Sequence, residues 1–188
     1  MTEGRHAALI RWIGRQSARP WPARLRRRAL AIGLLLGGLG LTIASPPGPL
    51  LVWNVSASAP MGLYVVGGST GIDRGDMVIA WVPDRWRRLA ATRRYIPLNV
   101  PLVKRVAAVP GNVVCATNGH IFVDGSWAAW QRPYDGRGWP MPAWHGCTTL
   151  GDGAFLLLMD APDSFDGRYF GPTSAPDIIG KATLLWAR

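Results

Sequence analysis

Ser58 and Lys104 are the residues whose types could together open a peptide or ester bond. A serine hydroxyl attacks a carbonyl only when a base takes its proton, and histidine is the usual base. The three histidines are His6 in an arginine-rich tail and His120 and His145 in turn-rich stretches, and no Gly-x-Ser-x-Gly elbow surrounds any serine. Nothing local therefore favours Ser-His-Asp chemistry. A lysine can replace histidine if it is neutral at working pH. Its ordinary pKa near 10.4 must then fall by about three units, a cost of roughly 4 kcal/mol, which desolvation can impose. Only two of the 21 basic residues are lysines, Lys104 and Lys181, and arginine stays protonated at any biological pH.

Lys104 sits among Pro101, Leu102, Val103, Val106, Ala107 and Ala108. On a strand, neighbouring side chains alternate, so Lys104 would face inward and Arg105 outward. From the residues alone a second reading stays open, in which Lys104 points to solvent from an edge strand. No metal or nucleotide site is evident: the histidines are scattered, the cysteines are two and no Gly-x-x-x-x-Gly-Lys loop occurs. No cofactor is expected.

The formal net charge of +10 would suit nucleic-acid binding if it covered a folded face. Residues 1–28 instead hold eight arginines against Glu3, a net +7, leaving +3 for the rest. The basicity is a tail, and no nucleic-acid partner is expected. After Arg26-Arg27-Arg28 the chain carries no charge from Ala29 to Trp53, a length that exceeds the roughly 20 residues of a spanning helix.

Residues 1–28 accordingly read as a cytoplasmic tail, 29–53 as a transmembrane anchor with an interfacial end, and 54–188 as the exported domain. Pro46, Pro47 and Pro49 should end the helix near Ser45. Arginines retained in the cytoplasm orient a single-pass anchor in the cytoplasmic membrane, with the domain in the periplasm and the bilayer as a partner. A cleaved signal peptide competes, with small residues at Thr42-Ile43-Ala44 or Ser56-Ala57. The 28-residue leader is long for one.

Sixteen prolines and 23 glycines argue against long helices beyond residue 50, so the domain should be mostly β. Strands are expected at Leu63 to Val66, Met77 to Val82, Leu102 to Val109, Val113 to Cys115, His120 to Val123, Ala154 to Met159 and Ile179 to Trp186. Asp84 to Arg94 reads as an arginine-rich surface excursion of one or two helical turns, solvated or touching anionic lipid. Residues 126–146 have little periodicity and read as a long loop, with about 112–150 forming an inserted lobe. Cys115 and Cys147 bracket it, and in an exported domain a disulfide between them is expected, with two free thiols as the alternative.

Three stretches carry a family resemblance: Ser58-Ala59-Pro60-Met61-Gly62-Leu63-Tyr64, Val103-Lys104-Arg105-Val106-Ala107-Ala108-Val109-Pro110-Gly111, and Ser164-Phe165-Asp166-Gly167-Arg168-Tyr169-Phe170-Gly171. In this order they resemble the signature boxes of bacterial type I signal peptidases. The Ser-x-Pro-x-Gly-Leu-Tyr form resembles the TraF branch, which serves conjugative transfer. The resemblance implies a signal-peptidase/LexA-like coiled β-sheet and a membrane-anchored serine endopeptidase. Ser58 would be the acylated nucleophile and Lys104 its base. Ser56 would be an oxyanion-hole hydroxyl beside the Ser58 N–H, Ser164 would orient the base, and Asp166 and Arg168 would support its pocket.

The substrate implied is an exported precursor such as a pro-pilin, taken in a groove for small residues, with type IV secretion components as further partners. Leu63 to Val66 could pair with it as an added strand. Three features depart from the commoner boxes: Ala59 leads straight into Pro60, where the commoner box has Met after the serine and one more residue before Pro; Gly167 stands for a serine; and Met159-Asp160-Ala161-Pro162-Asp163 stands for Gly-Asp-Asn-Arg. A general signal peptidase and a catalytically silent component of the transfer apparatus are the competing functions. Related repressors that cleave themselves bind DNA through a helix-turn-helix domain, where this chain has its apolar run.

Overall fold

The computed structural model describes residues 22–44 and 48–188. The tail up to residue 21 and the expected helix stop at Ser45–Pro47 lie outside the described residues. The chain divides into two units, residues 1–47 and 48–188. The first contains α1 (Ala23–Ala44), which begins inside the arginine cluster and buries none of its residues. With a mean hydropathy of 1.4 over its apolar window, it is long and apolar enough to cross a bilayer.

The second unit is mostly β. In chain order it comprises β1 (Leu51–Asn54), β2 (Gly62–Val66), β3 (Met77–Ala80), α2 (Asp84–Thr92), β4 (Leu102–Ala108), β5 (Val113–Thr117), β6 (His120–Val123), β7 (Ser126–Trp130), β8 (Gly146–Thr149), β9 (Ala154–Leu158), α3 (Gly167–Phe170), β10 (Thr173–Ser174) and β11 (Ile178–Ala187). A coiled seven-stranded sheet runs β1-β2-β11-β3-β4-β9-β10, and a four-stranded sheet runs β7-β6-β5-β8. The ten-residue β11 binds β3 with its first half and β2 with its second, which joins β1 and β2 to the rest of the larger sheet. Its centre is apolar and closed to water, with Val78, Ile79, Val106, Leu156 and Leu157 fully buried. The smaller sheet shares a core with β9 through Val114, Ile121, Val123, Leu156 and Leu158, so the lobe is packed onto the main sheet.

Leu51 to Trp53, expected at the interfacial end of the anchor, form β1 and pair with Val65, Tyr64 and Leu63 of β2, with Leu51 and Trp53 exposed. Two expectations are corrected. Leu63 to Val66 cannot take a substrate strand, because β2 is hydrogen-bonded to β1 on one side and β11 on the other. Within 126–146, read as irregular, β7 pairs with β6 and Tyr134 bridges Pro140. Trp127 and Trp130 stay exposed on β7, which hides the inside-outside alternation.

Cys115 and Cys147 are opposite each other across β5 and β8, and their sulfurs are bonded at 2.01 Å. Closing a loop across 32 residues limits the unfolded chain, which the chain-entropy account values at about 3 kcal/mol. Replacing both cysteines by serine should lower unfolding stability by about 2–4 kcal/mol in denaturant titration. The wild-type chain, denatured without reductant, should take up no alkylating agent.

Candidate active site

Ser58 lies half-buried in the turn between β1 and β2. Local hydrogen bonds fix that turn. Asn54, buried at the end of β1, donates through its amide to the carbonyls of Ser56, Ala59 and Pro60, and its Oδ1 accepts from the Ser56 N–H at 3.0 Å. Tyr64 Oη donates to the Pro60 carbonyl at 2.8 Å. Gly62 has φ 152°, and a Cβ there would stand 2.0 Å from the Trp186 carbonyl oxygen. The Gly and Tyr of the first box thus shape the loop that presents Ser58. Asn54 is a positioning residue that the sequence reading passed over; its one signal was an Asn at a strand end, a type that ties down turns with its side chain.

Lys104 is on β4, which is interior to the sheet between β3 and β9, so the edge-strand reading fails. Its side chain is 3% exposed, while Arg105 turns outward to Asp160 at 2.8 Å. Lys104 Nζ lies 3.1 Å from Ser58 Oγ and donates to Ser164 Oγ at 2.6 Å. Burial pushes its pKa down to about 8, against the attraction of the Asp166 carboxylate, which raises it. Ser56 Oγ is 3.0 Å from Ser58 Oγ and accepts from the Ser58 N–H at 3.4 Å. The two candidate oxyanion donors, the Ser56 hydroxyl and the Ser58 N–H, are therefore joined by a long hydrogen bond beside the Ser58 hydroxyl.

Ser164 comes from the loop between β9 and α3, which a buried ion pair secures. Asp166 and Arg168 are 0% and 2% exposed. Arg168 Nε donates to Asp166 Oδ1 at 2.8 Å and Nη2 to Oδ2 at 3.1 Å. Asp166 also accepts the backbone N–H groups of Met159 and Arg168, and the guanidinium also reaches the carbonyls of Met159 and Pro162. Both carboxylate oxygens and all three guanidinium nitrogens have partners, which offsets part of the desolvation cost of a buried ion pair. Gln131, a second residue the sequence reading missed, donates to the Arg168 carbonyl at 2.6 Å and ties the lobe to this loop.

Gly167 fits where a serine would not: a Cβ there would stand 2.8 Å from the Leu157 carbonyl oxygen and 2.9 Å from Leu156 Cδ1. A cleft of about 360 Å³ opens over Ser58 and Lys104, with Val52, Ile96, Val100 and Leu102 in its wall.

The family model for signal peptidase, peptidase S26, matches residues 25–187, and the chain belongs to that family. Its similarity extends to conjugal-transfer proteins. The plasmid transfer protein TraF of Escherichia coli is 31% identical over 146 residues, covering 71% of this chain and 82% of that protein. A second Escherichia coli protein of that name is 28% identical over 87% of this chain and 99% of its own. The probable conjugal transfer protein TraF of Sinorhizobium fredii is 33% identical over 83% and 90%. Among solved structures, a signal peptidase I from Enterococcus faecalis overlaps 61% of this chain and 98% of its own, with a TM-score of 0.36 and 17% identity.

Holding Lys104 at a pKa of about 8, below its ordinary 10.5, penalises folding. Between those pH values the unfolded chain binds more protons, so this group makes stability rise with pH there, and the full penalty of roughly 3 kcal/mol stands below pH 8. Lys104→Met should therefore unfold at higher denaturant at pH 7, by about 1–3 kcal/mol. The gain should shrink as pH rises toward 10. Gly167→Ala should cost about 1–3 kcal/mol in the same assay, because the β9 backbone cannot yield.

Proposed function

We propose that this chain is a membrane-anchored serine endopeptidase with a Ser58–Lys104 dyad, which removes leader peptides from exported precursors, first among them a conjugative pilin precursor of a type IV secretion system. The observation that carries the reading is the buried Lys104 nitrogen, 3.1 Å from Ser58 Oγ and 2.6 Å from Ser164 Oγ. The family membership and the names of the relatives support the peptidase class and the conjugal setting. With α1 as a single-pass anchor in the cytoplasmic membrane and the arginines on the inner side, the β unit works in the periplasm.

In the proposed reaction neutral Lys104 takes the Ser58 proton as Oγ attacks the scissile carbonyl. Ser164 holds the amine in line through the hydrogen bond it accepts. Negative charge develops on the carbonyl oxygen, where the Ser58 N–H and the Ser56 hydroxyl can turn to meet it. Lys104 then gives its proton to the leaving amine, and in the second half activates the water that hydrolyses the acyl-enzyme. The apolar, shallow wall of the cleft suits small residues before the cut. The free edge of β1, whose Val52, Trp53 and Asn54 line the cleft, can take an extended substrate.

Cells carrying Ser58→Ala or Lys104→Arg should accumulate full-length precursor, with both variants still in the membrane fraction. Normal processing by both would reduce the dyad to a structural feature and favour a silent component of the transfer apparatus. With a peptide substrate, kcat/KM should rise with pH through about 8, as Lys104 loses its proton. Ser56→Ala should lower kcat about 10²-fold.

A further inference from the structure

A second cleft, of about 440 Å³, adjoins the first, and Tyr95, Asp163 and Phe165 line both. Its wall carries Arg93, Arg94, Arg132 and Arg137 against two carboxylates, Asp135 and Asp163. Among the described residues, none of the four arginines is in salt-bridge contact with an acid. Asp135 is occupied: it accepts from Tyr95 Oη and from the N–H groups of Arg137 and Trp139.

Two of the cations are partly committed. Arg93 donates to the Pro140 carbonyl at 2.7 Å, and Arg93 and Arg137 both lie over the Trp139 ring. The guanidinium groups of Arg94 and Arg132 make no hydrogen bond among the described residues, and both side chains are exposed in the cleft wall. Arg94 also sits where the chain leaves α2, with φ 57°. A helix end in that conformation favours glycine, and an arginine there is strained. The strained position retains a cation that faces the cleft.

We propose that this second cleft is an anion subsite for the precursor: it receives a glutamate or aspartate a few residues from the scissile bond, with Arg94 and Arg132 as the specificity-determining contacts. The inference rests on the peptidase reading and extends it to substrate choice. A chain extended across Ser58 and past Ser164 meets Asp163 and Phe165, two of the three residues common to both clefts. A peptide carboxylate is favoured over a lipid phosphate because the cleft is concave and shares Tyr95, Asp163 and Phe165 with the cleft over Ser58 and Lys104. The exposed apolar surface that suits a bilayer, Leu50, Leu51, Trp53, Leu185 and Trp186, comes from other elements.

The test is binding to the full chain in detergent, made inert with Ser58→Ala. Fluorescent peptides carry an Ala-x-Ala core and a single Glu moved through the flanking positions, each paired with its Gln counterpart. At one position or a neighbouring pair, Glu should bind about fivefold tighter than Gln. That preference should vanish with Arg94→Gln/Arg132→Gln and weaken at high salt, while the Gln peptides bind as before. Arg94→Gly should also reduce the preference without loss of thermal stability. With active enzyme, the preference should enter KM and leave kcat unchanged.

No Glu preference at any position would overturn the proposal, as would an equal loss for Glu and Gln peptides. So would a double variant that loses only its binding to phosphatidylglycerol vesicles, which would assign the arginines to lipid. If wild type fails to cut any peptide the peptidase reading fails, and the binding result still decides the subsite.

Discussion

The structure depends on keeping one amine out of water. Lys104 is charged in any exposed setting at neutral pH, and only burial lowers its pKa to about 8. That burial needs an interior strand, so β4 must have a neighbour on each side, and β3 and β9 supply them. It also needs a hydrogen-bond acceptor for the amine, which Ser164 provides, and the loop that carries Ser164 must be stiff. The Asp166–Arg168 pair stiffens it by binding the end of β9 and the loop backbone together.

The same pair acts on the amine from both sides. Desolvation is the largest influence on Lys104 and lowers its pKa; the Asp166 carboxylate opposes it, Arg168 works with it and Asp163 opposes it. A lone guanidinium in place of the pair would be an uncompensated buried ion, with a heavy cost in stability. The bidentate pair therefore supports the loop that carries Ser164 without leaving an unpaired buried charge.

Around this centre the fold arranges two surfaces with different chemistry. The cleft over Ser58 and Lys104 has Val52, Ile96, Val100 and Leu102 in its wall, and the cleft beside it is rich in arginine. Their shared residues come from the segment after α2 and from the Ser164 loop. The lobe built from β5 to β8 contributes Arg132 and Arg137, and its disulfide and its shared core with β9 keep those side chains in register with the site.

Much of this was legible from the residues. An uncharged, apolar run after clustered arginines marks a helix long and apolar enough to cross a bilayer, because that property follows from composition and length within one segment. Alternation along Leu102 to Ala108 put Lys104 and Arg105 on opposite faces, because the pleat fixes that locally. Other features depend on partners distant in the chain. Whether β4 was interior or at an edge turned on the pairing of β3 and β9, which nothing in its own seven residues encodes. That Leu51 to Asn54 form a strand turned on hydrogen bonds to β2. Gly167 looked like a departure, and the β9 backbone pressed against it explains it. The second cleft gathers arginines from positions 93–94 and 132–137, which no local pattern connects. The sequence determined which residues could do chemistry and where most of the core strands lie, since those follow from side-chain type and short-range periodicity. Tertiary structure alone decided which of them lost their water and which met, since desolvation and proximity belong to the packed whole.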